Sequence, residues 1–163
     1  MSTIRTKNVC PSRALRWCAL GILLVAAAPQ AALAQDDGVV FRDPLNDQPL
    51  DVPREDVSEA VAEFHETGDN PYAGDEEAIG EGRALYQRWC QACHLPDGTG
   101  RIGPSLVDGQ WKYERTGTDV GKFEIIYAGG AGAMQPFGQR LSQDEILRLI
   151  AFPDALAAKH GPG

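Results

Sequence analysis

The chain has 163 residues, 15 basic and 23 acidic, for a net charge of −8. That length suits one domain with a tail. The acidic balance speaks against nucleic acid and anionic lipid surfaces as partners, and favours a partner with a basic patch.

The first segment reads as an export signal. Arg5, Lys7, Arg13 and Arg16 make a basic start with no acid before Asp36, and an apolar run centred on Ala19–Ala26 follows. Ala32-Leu33-Ala34 then supplies the small residues of a cleavage site, so residues 1–34 are expected to be removed. A retained anchor is the alternative, but the run is short for a span of about 20 residues and Pro29 interrupts its end. Cleavage also removes Cys10 and Cys18. It leaves Cys90 and Cys93 as the only cysteines, and 11 basic against 23 acidic residues. The mature protein, at net −12, is expected in the periplasm with no membrane attachment and as a monomer.

Residues 35–74 form an N-terminal extension. Phe41-Arg42-Asp43-Pro44-Leu45 suits an extended arm with a hairpin or turn. Val57, Ala60, Val61 and Phe64 recur at helical spacing, which predicts a helix over 55–67 that stops at Gly68. Asp69–Gly74 is a turn cluster. The remaining domain, 75–163, opens with a helix running from about Asp75 into the cysteine motif. A shorter helix is expected over 119–127. Ser142-Gln143-Asp144-Glu145 reads as a capping box for a last helix with Ile146, Leu147, Leu149 and Ile150 on its buried face. Pro153 cannot donate to the helix ladder, so that helix is expected to kink or end near Phe152. No strand pattern appears beyond the arm.

Cys90-Gln91-Ala92-Cys93-His94 is a C-x-x-C-H run, the pattern of covalent haem c attachment. Two cysteines three apart can each form a thioether to one vinyl group, with the next residue, His94, beneath the iron. A disulfide, a thioredoxin-like dithiol and a zinc site are the rivals. The dithiol would want a βαβ context, and zinc would want two further ligands, for which His65 and His160 are poorly placed. The mature chain has one methionine, Met134, inside Gly129-Gly130-Ala131-Gly132-Ala133-Met134-Gln135-Pro136-Phe137. A methionine in a glycine-rich loop suits an axial iron ligand better than core packing, which usually falls on a periodic helix. His65 and His160 are the competing ligands, and both are expected at the surface.

These residues resemble the class I cytochrome c family. Gly82 and Tyr86 stand eight and four residues before Cys90, where that family has a small residue and an aromatic facing the last helix. Gly103-Pro104-Ser105-Leu106 resembles its G-P-x-L, whose proline carbonyl accepts a bond from the proximal imidazole. The resemblance implies an all-α class I cytochrome c fold around one haem, with an irregular N-terminal extension. Trp111 and Tyr113 are candidates to contact a haem propionate, and Arg101 is another.

Asn70-Pro71-Tyr72, Glu81-Gly82, Trp111-Lys112-Tyr113, Thr118–Glu124, Gly129-Gly130-Ala131 and the opening Phe41-Arg42-Asp43 are similar to the periplasmic cytochrome c-L group. That likeness implies an electron carrier in methanol oxidation, not an enzyme. Its donor would be a quinoprotein (PQQ-dependent methanol) dehydrogenase, and its acceptor a second small cytochrome c or an oxidase. An acceptor for methylamine or another periplasmic dehydrogenase, or a permanently bound cytochrome subunit, are the alternatives. The extension would then be either a docking arm or a flap that packs over the haem domain.

Overall fold

The computed structural model describes residues 38–160, which belong to one compact unit. The export signal assigned to residues 1–34 lies outside the described residues. Five helices and one 3-10 turn follow in chain order: α1 (Glu59–Thr67), α2 (Glu76–Trp89), α3 (Gln91–His94), the turn Glu114–Gly117, α4 (Asp119–Ala128) and α5 (Gln143–His160). Among the described residues there is no strand. The arm forms a tight hairpin whose only bridge is Arg42 to Pro49, closed by Asp43 N–H to the Gln48 carbonyl at 2.8 Å. The described residues are thus all-α, as the resemblance to class I cytochromes implies.

Each long helix starts on a side-chain cap. Ser58 Oγ accepts the Val61 N–H, Asp75 Oδ1 the Ala78 N–H, and Thr118 Oγ1 the Gly121 N–H. These bonds satisfy donors that the first helical turn leaves free. The Ser58 cap explains why α1 begins four residues later than its apolar spacing predicts. Asp56, just before it, sits at a left-handed φ of 53° that no helix continues through. The capping box of α5 forms as read: Ser142 N–H donates to Glu145 Oε2 at 2.7 Å, and Glu145 N–H to Ser142 Oγ at 3.2 Å.

α2 and α5 make the main helix crossing. A Cβ at Gly82 would run into the Arg148 carbonyl, so the two backbones meet where only glycine fits. One turn on, the buried Tyr86 ring packs on Phe152 at 5.2 Å between centroids. Of the two outcomes expected at Pro153, a kink or an end, α5 does not end near Phe152; it runs through Pro153 to His160. Proline removes one hydrogen bond from the ladder, but tertiary contacts on both sides hold the helix. Ala151, Phe152 and Pro153 are all buried. Arg83 lies over the Phe152 ring at 5.4 Å, and Lys122 of α4 grips Asp154 at 2.8 Å.

The extension contributes to the core. Phe41, Phe64 and Phe123 form a triad with centroid separations of 5.8, 5.2 and 5.2 Å. Val52 and Val61 join the same buried cluster. His65 is not at the surface as expected. It is 3% exposed, with Nε2 2.7 Å from Gln143 Oε1 and its ring edge-on to Phe41. His160 is exposed.

Candidate functional site

The cysteine motif sits where one helix ends and another begins. Cys90 is the C-cap of α2, and the single turn α3 carries Cys93 and His94. Cys93 N–H and His94 N–H both donate to the Cys90 carbonyl at 3.0 Å, which fixes the spacing of all three side chains. Immediately afterwards Leu95 takes φ 63°, a strained value for a leucine. The Tyr86 hydroxyl holds that turn by donating to the Leu95 carbonyl at 2.7 Å. The chain then loops back, and Gly103 N–H donates to the Cys93 carbonyl at 3.1 Å.

This return loop orients the imidazole. His94 Nδ1 lies 2.9 Å from the Pro104 carbonyl oxygen. A carbonyl can only accept, so Nδ1 carries the proton and Nε2 keeps a free lone pair. A Cβ at Gly103 would collide with the His94 ring, so glycine is what lets the loop press against it.

Cys90, Cys93, His94 and Met134 all line one cavity of about 350 Å³. Met134 reaches it from the loop after α4, where Gly130 N–H donates to the Met134 carbonyl at 3.1 Å. Trp111 and Tyr113 line the same cavity. Tyr113 Oη accepts the Ala131 N–H at 3.0 Å, joining the two loops on that side. Pro104 lines it as well, and Ile102, 66% exposed, stands at its mouth. Arg101 does not line the cavity. It is exposed and donates through Nη2 to the Ala92 carbonyl at 3.0 Å, bracing α3 from outside.

The donor set fits a covalently held iron porphyrin. It offers two unpaired thiols three residues apart, an imidazole with a preset tautomer, and a thioether, all on one largely apolar cavity. Burial in that wall, and then the neighbouring Cys93, push the Cys90 thiol up to about 12. A thiol held so firmly protonated is unlike the low-pKa cysteine of a dithiol redox motif. Among the described residues no group of three or more His, Cys, Asp or Glu side chains is placed to hold a bare metal ion.

Three charged residues that periodicity does not reveal also bear on the site. Lys122 and Asp154 line the cavity beside Trp111. Glu124, 1% exposed, ties α4 to the 3-10 turn and to the arm. Apart from Asp119, three residues before Lys122 on α4, their partners are distant in sequence or lie in loops, so no local pattern places them at the site.

Comparison with known proteins agrees with this geometry. Residues 77–152 match the family described as cytochrome C oxidase, cbb3-type, subunit III. The chain is 38% identical over 136 residues to cytochrome c-L of Methylorubrum extorquens, covering 81% of this chain and 68% of that protein. Two crystal structures share the fold. Cytochrome CL of Methylophaga aminisulfidivorans superposes with a TM-score of 0.68 at 36% identity, over 72% of this chain and 80% of that one. Cytochrome cL of Hyphomicrobium denitrificans gives 0.67 at 37% identity, over 72% and 73%.

Proposed function

Since the chain belongs to the cytochrome c-L family, an electron-carrying haem c protein of the class I fold, we propose that it accepts electrons from a PQQ-dependent methanol dehydrogenase. It passes them singly to a second small cytochrome c. The observation that carries this reading is the convergence of Cys90, Cys93, His94 and Met134 on one cavity. In this reading Cys90 and Cys93 would hold the haem through thioethers, and His94 and Met134 would be the protein's ligands to its iron. The bound haem supplies a one-electron iron couple.

The chain's own residues do the rest. The Pro104 carbonyl holds the His94 tautomer and raises the basicity of Nε2. The tethered glycine loop presents Met134, whose thioether as an iron ligand would raise the potential. With His94 and Met134 both committed to the iron, no open position would be left for a substrate, and the reading is therefore of a carrier rather than an enzyme. Trp111 and Tyr113 offer N–H and O–H donors to the haem carboxylates. Arg101 acts only indirectly, by holding the carbonyl end of Ala92.

The mature protein would comprise the extension, 35–74, and the haem domain, 75–163, released to the periplasm after cleavage behind Ala34. No helix among the described residues is long and apolar enough to cross a membrane. The burial of Phe41 and Val52 in the core supports the extension as a packing flap over a docking arm. The exposed Ile102 at the cavity mouth offers an apolar contact, and the net negative charge of the chain suits a partner of opposite charge.

The test is kinetic. Oxidised protein mixed with quinoprotein methanol dehydrogenase should be reduced rapidly, and the rate should fall with added salt. No reduction by that enzyme, with reduction by methylamine dehydrogenase instead, would overturn the assignment of the donor.

A further inference from the structure

Lys122 occupies the first turns of α4 and points its ammonium between two carboxylates. Nζ lies 3.1 Å from Asp119 Oδ1 and 2.8 Å from each oxygen of Asp154, which stands on α5. The Lys122 side chain is 17% exposed. Lys122 and Asp154 line the same cavity as His94 and Met134, and Nζ lies 6.0 Å from the centroid of Trp111. Two carboxylates against one ammonium leave the cluster with a net charge of −1.

Helix formation does not require these charges, because Thr118 caps α4 and the Ser142–Glu145 box caps α5. Packing alone does not require them either, since an apolar pair of similar volume usually stabilises a helix contact as well as a half-buried ion pair. What the pair adds is fixed charge on the wall of a largely apolar cavity, where solvent screens it weakly.

We propose that Lys122 and Asp154 are positioning residues that set the reduction potential of the redox centre, the ammonium raising it and the carboxylate lowering it. The inference rests on the reading above, that a one-electron iron centre occupies this cavity. The oxidised centre carries one more positive charge than the reduced one. Negative charge in the wall therefore favours the oxidised state, and positive charge the reduced state.

The experiment is a potentiometric titration of the purified haem-loaded protein near neutral pH. Lys122→Met should lower the equilibrium constant for reduction several-fold, up to about tenfold, which is ~59 mV for a one-electron couple. Asp154→Asn should shift it by a similar factor in the opposite direction. Lys122→Arg should keep the parent potential. A packing defect has no reason to give shifts of opposite sign from the two partners. Shifts of the same sign, changes below about twofold in both variants, or a Lys122→Arg shift matching Lys122→Met would each overturn the proposal. Should Lys122→Met fail to load haem, the near-isosteric Asp154→Asn and the charge-conserving Lys122→Arg still decide it. The two levels of failure are distinguishable. A parent protein without a low-spin six-coordinate spectrum would overturn the site reading, whereas a normal spectrum with unmoved potentials overturns only the charge pair.

Discussion

Arg115 closes on Glu124 through two hydrogen bonds, Nε to Oε2 at 2.6 Å and Nη2 to Oε1 at 2.9 Å. The same carboxylate accepts the Arg42 backbone N–H at 2.7 Å, and Arg115 Nη2 donates onward to the Val40 carbonyl at 3.0 Å. One buried acid thus joins α4, the 3-10 turn that follows Trp111 and Tyr113, and the N-terminal arm. The bond from Glu124 holds Arg115 above the ordinary guanidinium range.

Removing the cation from this pair should cost more than softening the anion. Arg115→Ala leaves a carboxylate that is 1% exposed without its counterion, and the expected loss is about 3 kcal/mol. Glu124→Gln keeps an oxygen for Arg42 and loses the charge, for about 1–2 kcal/mol. Urea unfolding followed by circular dichroism measures both. Losses near zero in both variants would show that the arm does not depend on this junction.

Met134→Ala removes the one thioether on the cavity. The low-spin spectrum and its methionine–iron charge-transfer band should disappear, and the potential should fall with the loss of the sulfur ligand. His65 should not substitute, because it is buried against Gln143 and Phe41. Absorption spectroscopy of the oxidised variant decides this, and an unchanged band would exclude Met134 as a ligand.

What could be read from the sequence divides by the range of the interaction. The capping box at Ser142, the turn at Gly68 and the C-x-x-C-H run are local patterns that give helix order, and the fold class follows from the family resemblance. At Pro153 a local rule allows a kink or an end, and distant contacts decide against the end. Its missing hydrogen bond is outweighed by Tyr86 against Phe152 and by Lys122 on Asp154, thirty-two residues away. His65 fails for the same reason. A polar residue on a short helix reads as surface until Phe41, from the arm, is folded over it. Glu124 and Lys122 sit on α4; Lys122 has a local partner in Asp119, but only the fold shows that Lys122 also holds Asp154 and that Glu124 joins Arg115 to the arm.

Two glycines on α2 should respond oppositely to the same change. A Cβ at Gly82 would meet the Arg148 carbonyl and come within 3.3 Å of Leu149 Cα, both backbone atoms that cannot rotate away. Gly82→Ala should therefore spread the α2–α5 crossing and cost about 1–3 kcal/mol. A Cβ at Gly80 has nothing within 4 Å, so Gly80→Ala should gain up to about 1 kcal/mol from helix propensity alone. Thermal unfolding of the two variants tests the contrast. Equal effects would mean that the crossing tolerates a side chain.

His65 should make the protein acid-sensitive. Burial lowers its pKa below the ordinary 6.5, the Gln143 bond offsets part of that, and Arg54 adds to the lowering. Between the folded and unfolded values the unfolded chain binds more protons, so stability rises with pH across that interval. Stability is fully present above about 6.5 and is lost as pH falls toward the folded value, below which this contribution levels off. The chain has three histidines. His160 is exposed, and His94 is the proposed iron ligand, so His65 is the one whose titration should report on folding of the arm. Urea midpoints from roughly pH 7.5 down to 5 should show this slope in the parent and a flatter one in His65→Gln, which keeps a polar group without the charge. Parallel slopes would assign the acid sensitivity to other groups.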